Sequence, residues 1–357
     1  MVEFTFVIFL FKIIAYSLPI PLMVWTYKKY GHWSHLGLGI ANASFLASTF
    51  IAFFIEGMDN LEVIELGWMF ANIFLYCAFW VIILSLLIAQ FDKLPGYAHF
   101  ITILVGILIG LILNPANVDI YFEAGSISAS YSFLINLCGG LILVVFVATA
   151  LNPLIKKILS NKVEFKKKQY LLILIAYLIC FFWVISLFLT HLEFIRIIRR
   201  GSLAFGMFLW SIGLYIDPLT IVISKAKIQK VLILTKTGLP IFSYNFEEDK
   251  EMNSSSDLLA GILSAIKSGI EQILSSGKSL KTMAFEDSIL NFINGDHVVF
   301  LLMSQQTISS NTKLIANVFL QKFETKFESL LEENVIDEQK MSDVVNLLKE
   351  VIDSVQI

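Results

Sequence analysis

The sequence predicts a membrane-embedded, all-α bundle of seven helices joined to a C-terminal α+β domain of element order β-β-α-β-β-β-α-α. Three observations predict it. Hydrophobic residues make up 57% of the 357-residue chain, above the roughly 45–50% apolar share of soluble domains, which already counts Gly; a wholly water-soluble protein is excluded. Seven long apolar stretches follow one another from the N-terminus and cease near residue 228, where short β-rich runs and amphipathic periods take over. Charge divides at the same place: residues 1–230 hold 16 Lys plus Arg and 11 Asp plus Glu, a net of +5, and residues 231–357 hold 10 and 18, a net of −8. The expected domains are residues 1–227, transmembrane, and 228–357, cytoplasmic.

A spanning helix needs about 20 apolar residues, because the hydrocarbon core is about 30 Å thick and a helix rises about 1.5 Å per residue. The stretches are 4–27, 36–56, 67–91, 99–113, 131–151, 169–190 and 202–224. The first is too long for a signal peptide and lacks a basic start and a small-residue cleavage site, so it is expected to stay in the membrane, kinked by Pro19 and Pro21. The fourth is short and ends at Asn114-Pro115. Lys and Arg are retained on the cytoplasmic side. With the N-terminus outside, Lys28, Lys29, Lys93, Lys156, Lys157, Lys162, Lys166, Lys167, Lys168, Lys225, Lys227 and Lys230 fall inside, and only Arg196, Arg199 and Arg200 fall outside. That balance predicts an N-out, C-in chain with an odd number of spans. The three arginines read as part of an amphipathic interfacial stretch, His191 to Arg200.

Ionisable groups inside spans are costly and are therefore candidate sites. Lys12 lies about 12 Å below the outer start of its helix and Asp217 about 22 Å below that of the last, so a direct ion pair requires a shifted or tilted helix. The alternative is that Lys12 snorkels to headgroups and Asp217, beside Pro218, caps unwound backbone. Asn42, Asn72 and Asn136 read as amides bonding helix to helix. An acidic outer face, with Glu56, Asp59, Glu62 and Glu65 at its centre, would attract cations or simply satisfy topology. The longest outer loop, 114–130, is expected to form a small hairpin or lid. Inside, Lys156, Lys157, Lys166, Lys167 and Lys168 would contact anionic lipid at on the order of 1 kcal/mol per basic residue, or serve only to fix topology. Cys77, Cys138 and Cys180 all sit in apolar stretches, so neither a disulfide framework nor a Cys-based zinc site is expected.

Beyond Lys230, Val231 to Thr235 and Leu239 to Phe246 are two β-rich runs around Lys236-Thr237-Gly238 and predict a hairpin. Asp257 caps a helix with Leu258, Leu259, Ile262, Leu263 and Ile266 at helical spacing. Strands are expected at 280–285, 288–293 and 297–304, and amphipathic helices at about 312–332 and 338–353. This order, opened by Val-Leu-Ile-Leu-Thr-Lys-Thr-Gly-Leu-Pro-Ile-Phe-Ser-Tyr at Val231 to Tyr244, resembles the longin fold, a relative of the roadblock family. The resemblance implies a five-stranded antiparallel sheet sandwiched by helices, and binding of other proteins, notably small GTPases, in place of catalysis. In topology the membrane half resembles the seven-span sensor region ahead of bacterial membrane histidine kinases.

The chemistry of other classes is missing from the sequence. His297 is the only His after the spans and is expected to open a strand, so the phospho-accepting helix of a kinase is absent. Gly277-Lys278-Ser279 imitates a P-loop end, yet Gln272 stands where that pattern needs Gly. The last stretch has no Lys for a retinal Schiff base, and no His-Glu-x-x-His or Gly-x-Ser-x-Gly motif occurs. The expectation is a non-enzymatic, receptor-like or scaffold membrane protein without a cofactor. Its expected partners are membrane lipids and a cytoplasmic protein such as a small GTPase, with no nucleic acid. The alternative is a transporter or channel with a regulatory cytoplasmic domain.

Overall fold

Long apolar runs can satisfy their backbone only as helices when they lie in hydrocarbon, and helices dominate the first two thirds of the chain. The structure is a computed structural model that describes residues 2–58, 60–91, 94–123, 126–159, 167–186, 193–219, 222, 228–237, 239–246, 250–251, 261, 281–284, 288–304, 310–328 and 338–353. The chain divides into two compact units, Met1–Ile223 and Ser224–Ile357.

In the first unit α1 (Val2–Ser17) and α2 (Pro19–Tyr30) form one apolar rod broken at Leu18, where the expected proline kink falls. There follow α3 (Trp33–Ile55), α4 (Leu61–Phe91), α5 (Tyr97–Ile112), α6 (Phe133–Leu159), α7 (Lys167–Ser186) and α8 (Glu193–Ile216). Four segments are long and apolar enough to cross a membrane: Phe6–Tyr30, Trp33–Ile55, Leu61–Phe91 and Phe133–Leu151. The chain is therefore a membrane-embedded protein. Shorter apolar helices at Tyr97–Ile112, Leu171–Trp183 and Gly201–Ile216 occupy the fourth, sixth and seventh expected stretches.

Side-chain contacts fix the direction of each helix. Phe9 stacks on Phe53 and Tyr16 on Phe45, so α1 and α3 are antiparallel. Ser48 Oγ donates to the Ala71 carbonyl at 2.8 Å, while a Cβ at Gly37 would strike Ser85, so α3 and α4 are antiparallel. Gly206 faces Cys180 and Gly213 faces Ile173, which makes α7 and α8 antiparallel. Phe11 packs near Phe205 and Trp25 on Tyr215, so the α1–α2 rod and α8 run parallel. Through the centre runs a column of buried rings, Tyr16, Phe45, Phe79, Phe146, Tyr177 and Trp210, with successive centroids 5.3, 5.4, 5.4, 6.0 and 5.1 Å apart.

Three expectations need correction. The last apolar helix does not run over 202–224: it starts at Glu193 and ends at Ile216, so residues 193–200 of the supposed interfacial stretch are its continuous first part. Helix α6 runs on to Leu159, which puts Lys156 and Lys157 on its final turn, not in a loop. Helix α4 begins at Leu61, so Glu62 and Glu65 are helical. Segment 114–130 holds a hairpin, β1 (Val118–Glu123) paired antiparallel with β2 (Ser126–Tyr131).

The second unit is an antiparallel sheet. Its strands are β3 (Ile228–Thr235), β4 (Pro240–Asn245), β6 (Thr282–Ala284), β7 (Ile289–Asn294) and β8 (Val298–Ser304), with a two-residue edge strand, β5 (Lys250–Glu251), that the sequence did not suggest. The spatial order is β5-β4-β3-β8-β7-β6, so β3 and β8 are central. Both central strands are buried almost throughout, the pattern of a sheet covered on both faces. Val231, Ile233, Phe300 and Leu302 share one face. There Phe300 lies 4.9 Å from Phe319 of α9 (Ser310–Lys326), and Lys349 of α10 (Glu338–Asp353) sits over Tyr244. Leu232, Leu234, Leu290, Phe292, Val299 and Leu301 form a second buried cluster on the other face. The helix expected from Asp257 lies outside the described residues, apart from Gly261. The β7–β8 turn is held by Glu324 Oε1, which accepts from the His297 N–H at 2.7 Å and the Val298 N–H at 3.2 Å.

The α7–α8 contact depends on a missing side chain. A Cβ at Gly206 would lie 2.9 Å from the Ala176 carbonyl oxygen and closer still to Cys180 Sγ, whereas one at Gly106 on α5 would meet nothing. Gly206→Val is expected to destabilise the bundle by about 1–3 kcal/mol, the range for overpacking, and Gly106→Val to change it little. Thermal unfolding of the two full-length variants in detergent measures the difference.

Candidate functional site

The alternating helices give the bundle two ends of different chemistry. One, the hairpin end, gathers the starts of α4, α6 and α8, the end of α3 and the β1–β2 hairpin. Glu56, Glu62 and Asp119 are exposed there and Glu65 is half-buried, while Asp59 lies outside the described residues. The opposite end gathers Lys28 and Lys29 in the last turn of α2, Lys156 and Lys157 in that of α6, and Lys167 and Lys168 in the first turn of α7. Lys166 lies outside the described residues. Acidic residues thus collect at one end and lysines at the other.

At the hairpin end two of the singled-out amides converge on one residue. Asn72 Nδ2 donates to Tyr131 Oη at 2.8 Å and to the Trp68 carbonyl at 2.7 Å. Asn136 Nδ2 donates to the Tyr131 carbonyl at 3.0 Å. The last residue of β2 is therefore gripped by α4 through its side chain and by α6 through its backbone. The other foot of the hairpin is tied by Asn117, whose Nδ2 donates to the Leu111 carbonyl at 3.1 Å and whose carbonyl accepts from the Ser132 N–H at 2.9 Å. The expectation that these amides bond helix to helix is corrected: Asn72 and Asn136 anchor the hairpin, and Asn42 donates to Leu38 of its own helix at 2.9 Å. Direct links between helices come from residues the sequence reading passed over. Trp80 Nε1 donates to Thr102 Oγ1 at 3.1 Å, Gln90 Nε2 donates to the Thr149 carbonyl, and Ser48 bonds Ala71. Hydroxyls spaced among apolar residues were the available signal.

Lys12 and Asp217 belong to different levels of the bundle. Phe11 aligns with Phe205, and Asp217 follows twelve residues later on the same chain segment, about 18 Å along the axis. Lys12 is half-buried, and Asp217 is 6% exposed at the break after α8. There Asp217 Oδ1 accepts from the Leu219 N–H at 3.1 Å, the cap that Pro218 calls for, and the carboxylate lies near enough to Tyr30 to interact with it. Lys29 Nζ sits over the Trp25 ring at 4.9 Å and the Tyr30 ring at 5.2 Å.

Beside this break lies a buried polar group that the sequence reading missed. Gly31, at φ 71°, turns the chain from α2 into α3. His32 caps α3, its Nδ1 accepting from the Ser34 N–H at 3.4 Å and bonded to the Ser34 hydroxyl at 2.6 Å. His35 is fully buried 5.9 Å from His32. No group of three His, Cys, Asp or Glu among the described residues is placed to hold a metal ion.

No protein-family model matches the chain, and neither a curated protein nor a solved structure matches it. Tyr131→Phe removes the acceptor of the Asn72 amide while keeping the ring. It is expected to destabilise the hairpin by about 0.5–1.5 kcal/mol, seen as faster amide exchange over 118–131 with exchange in the centre of α4 unchanged.

Proposed function

We propose that this protein is a seven-pass, receptor-like or scaffold membrane protein, N-terminus outside, whose cytoplasmic domain has a longin-like fold and recruits a protein partner of the small-GTPase kind. The observation that carries this reading is the sheet of the second unit, antiparallel throughout and buried on both faces, in a unit compact on its own. A sheet covered on both faces is what the longin resemblance implies, and such domains serve protein contacts.

The seven-pass topology is supported by direction. The first and last apolar helices run parallel, which requires an odd number of crossings, and the seven segments alternate along the chain. The charge of the two ends supports the orientation, because the lysines gather where the positive-inside rule places the cytoplasm. It also supports contact of those lysines with anionic lipid. The transporter or channel reading draws on Lys12 and Asp217 and is weaker: the two sit at different levels, and stacked rings fill the centre of the bundle. The cell membrane is the location this reading assigns.

The test uses full-length protein in nanodiscs as bait for cytosol of the native cell, supplied with a non-hydrolysable GTP analogue. A small GTPase is expected to be retained by the full chain and lost when residues 228–357 are removed. Equal retention by both forms, or retention of none, would count against recruitment.

A further inference from the structure

A groove of about 570 Å³ runs along the seam where α1 and α7 meet α8. Phe11 forms one wall and Leu178 and Phe182 the other, while Gly201, Ser202 and Phe205 form the floor. The missing side chain at Gly201 keeps the floor low, since even a Cβ there would come 3.9 Å from the Phe11 ring. Phe11 lies five residues into the apolar segment that begins at Phe6, about 8 Å along it, and Gly201 opens the apolar part of α8. The groove therefore reaches from one leaflet toward the midplane of a core about 30 Å thick.

Its chemistry selects the occupant. The walls are hydrocarbon and aromatic carbon, and the one hydroxyl on the floor, Ser202, is 7% exposed. A polar ligand would give up its hydrogen bonds on entry. A hydrocarbon chain gives up none and gains dispersion contact on three sides. Leu178, Phe205 and Phe11, 54%, 41% and 39% exposed, open the groove sideways along apolar helices, so the route in is the bilayer itself. The volume falls within the roughly 300–1,000 Å³ of ligand-sized sites. The outer surface of α5 offers no such enclosure: Phe100, Ile103 and Ile107 are 67%, 61% and 52% exposed, and Gly106 and Gly110 face open space.

We infer that this seam is a lateral binding site for one hydrocarbon chain of a bilayer lipid, entering from the leaflet at the hairpin end. It rests on the chain being membrane-embedded and not on partner recruitment, so either can fail without the other. The probe is full-length protein in nanodiscs of phosphatidylcholine bearing a diazirine midway along one acyl chain. Adducts mapped after irradiation are expected to be at least about threefold more frequent on 175–182 and 201–205 than on 100–107. Gly201→Trp, which raises the floor, is expected to bring the seam down to the α5 level. Ser202→Leu serves as a milder filler should that variant fail to elute as a single species. Even labelling of all lipid-facing helices, or undiminished seam labelling in a folded filler variant, would overturn the site.

Discussion

Six buried aromatic rings, one from each of six apolar helices, set how the helices of the membrane unit stack. Within lipid the tails are as apolar as the side chains, so no hydrophobic gain drives helix against helix and shape must do so instead. Tyr16, Phe45, Phe79, Phe146, Tyr177 and Trp210 supply that shape, each tilted or edge-on pair contributing about 0.5–1.5 kcal/mol beyond area burial. Glycines do the complementary part at Gly37, Gly206 and Gly213, where a neighbouring side chain or carbonyl fills the space a Cβ would need. Everything at the two ends follows from this register. Asn72 and Asn136 can both reach Tyr131 only because α4 and α6 run side by side in the same direction, and Trp25 can meet Tyr215 only because the first rod and α8 do.

In the second unit the controlling constraint is a sheet. Its two central strands are apolar on both faces, so the sheet cannot stand with one side solvated. The α9–α10 pair covers the Phe300 side, with Lys322 of α9 and Glu350 of α10 paired at 3.2 Å on the exposed surface. The turn joining β7 to β8 is held from α9 by Glu324, and a Cβ at Gly295 would displace that carboxylate. Helix and sheet are thus locked at a loop as well as through the core.

Much of this was legible in the residues because the signals are strong and local. Each apolar stretch holds a helix, the segment opened by Asn114-Pro115 forms a hairpin, and the runs around Lys236-Thr237-Gly238 pair as strands. Boundaries were less legible where polar residues continue a helix: Arg196, Arg199 and Arg200 mimic an interface, yet the backbone stays helical from Glu193 straight into the apolar segment. Partners were less legible still. An Asn in an apolar run announces a hydrogen bond but not its acceptor, and Tyr131 is distant in sequence from Asn72. His32 and His35 gave no signal, since an imidazole beside a lysine pair looks like ordinary loop chemistry until burial shows otherwise.

The proposal on which the rest turns is that the chain crosses the membrane an odd number of times, which would put the hairpin end and the C-terminal residues on opposite sides. Single-cysteine labelling in a background of Cys77→Ser, Cys138→Ser and Cys180→Ser measures this directly, with Gly57→Cys reporting on the hairpin end and Lys236→Cys on the second unit. With a membrane-impermeant maleimide, Gly57→Cys should label in intact cells and Lys236→Cys only after permeabilisation. Labelling of both positions in intact cells, or of neither, would contradict the topology and with it a cytoplasmic recruiting domain.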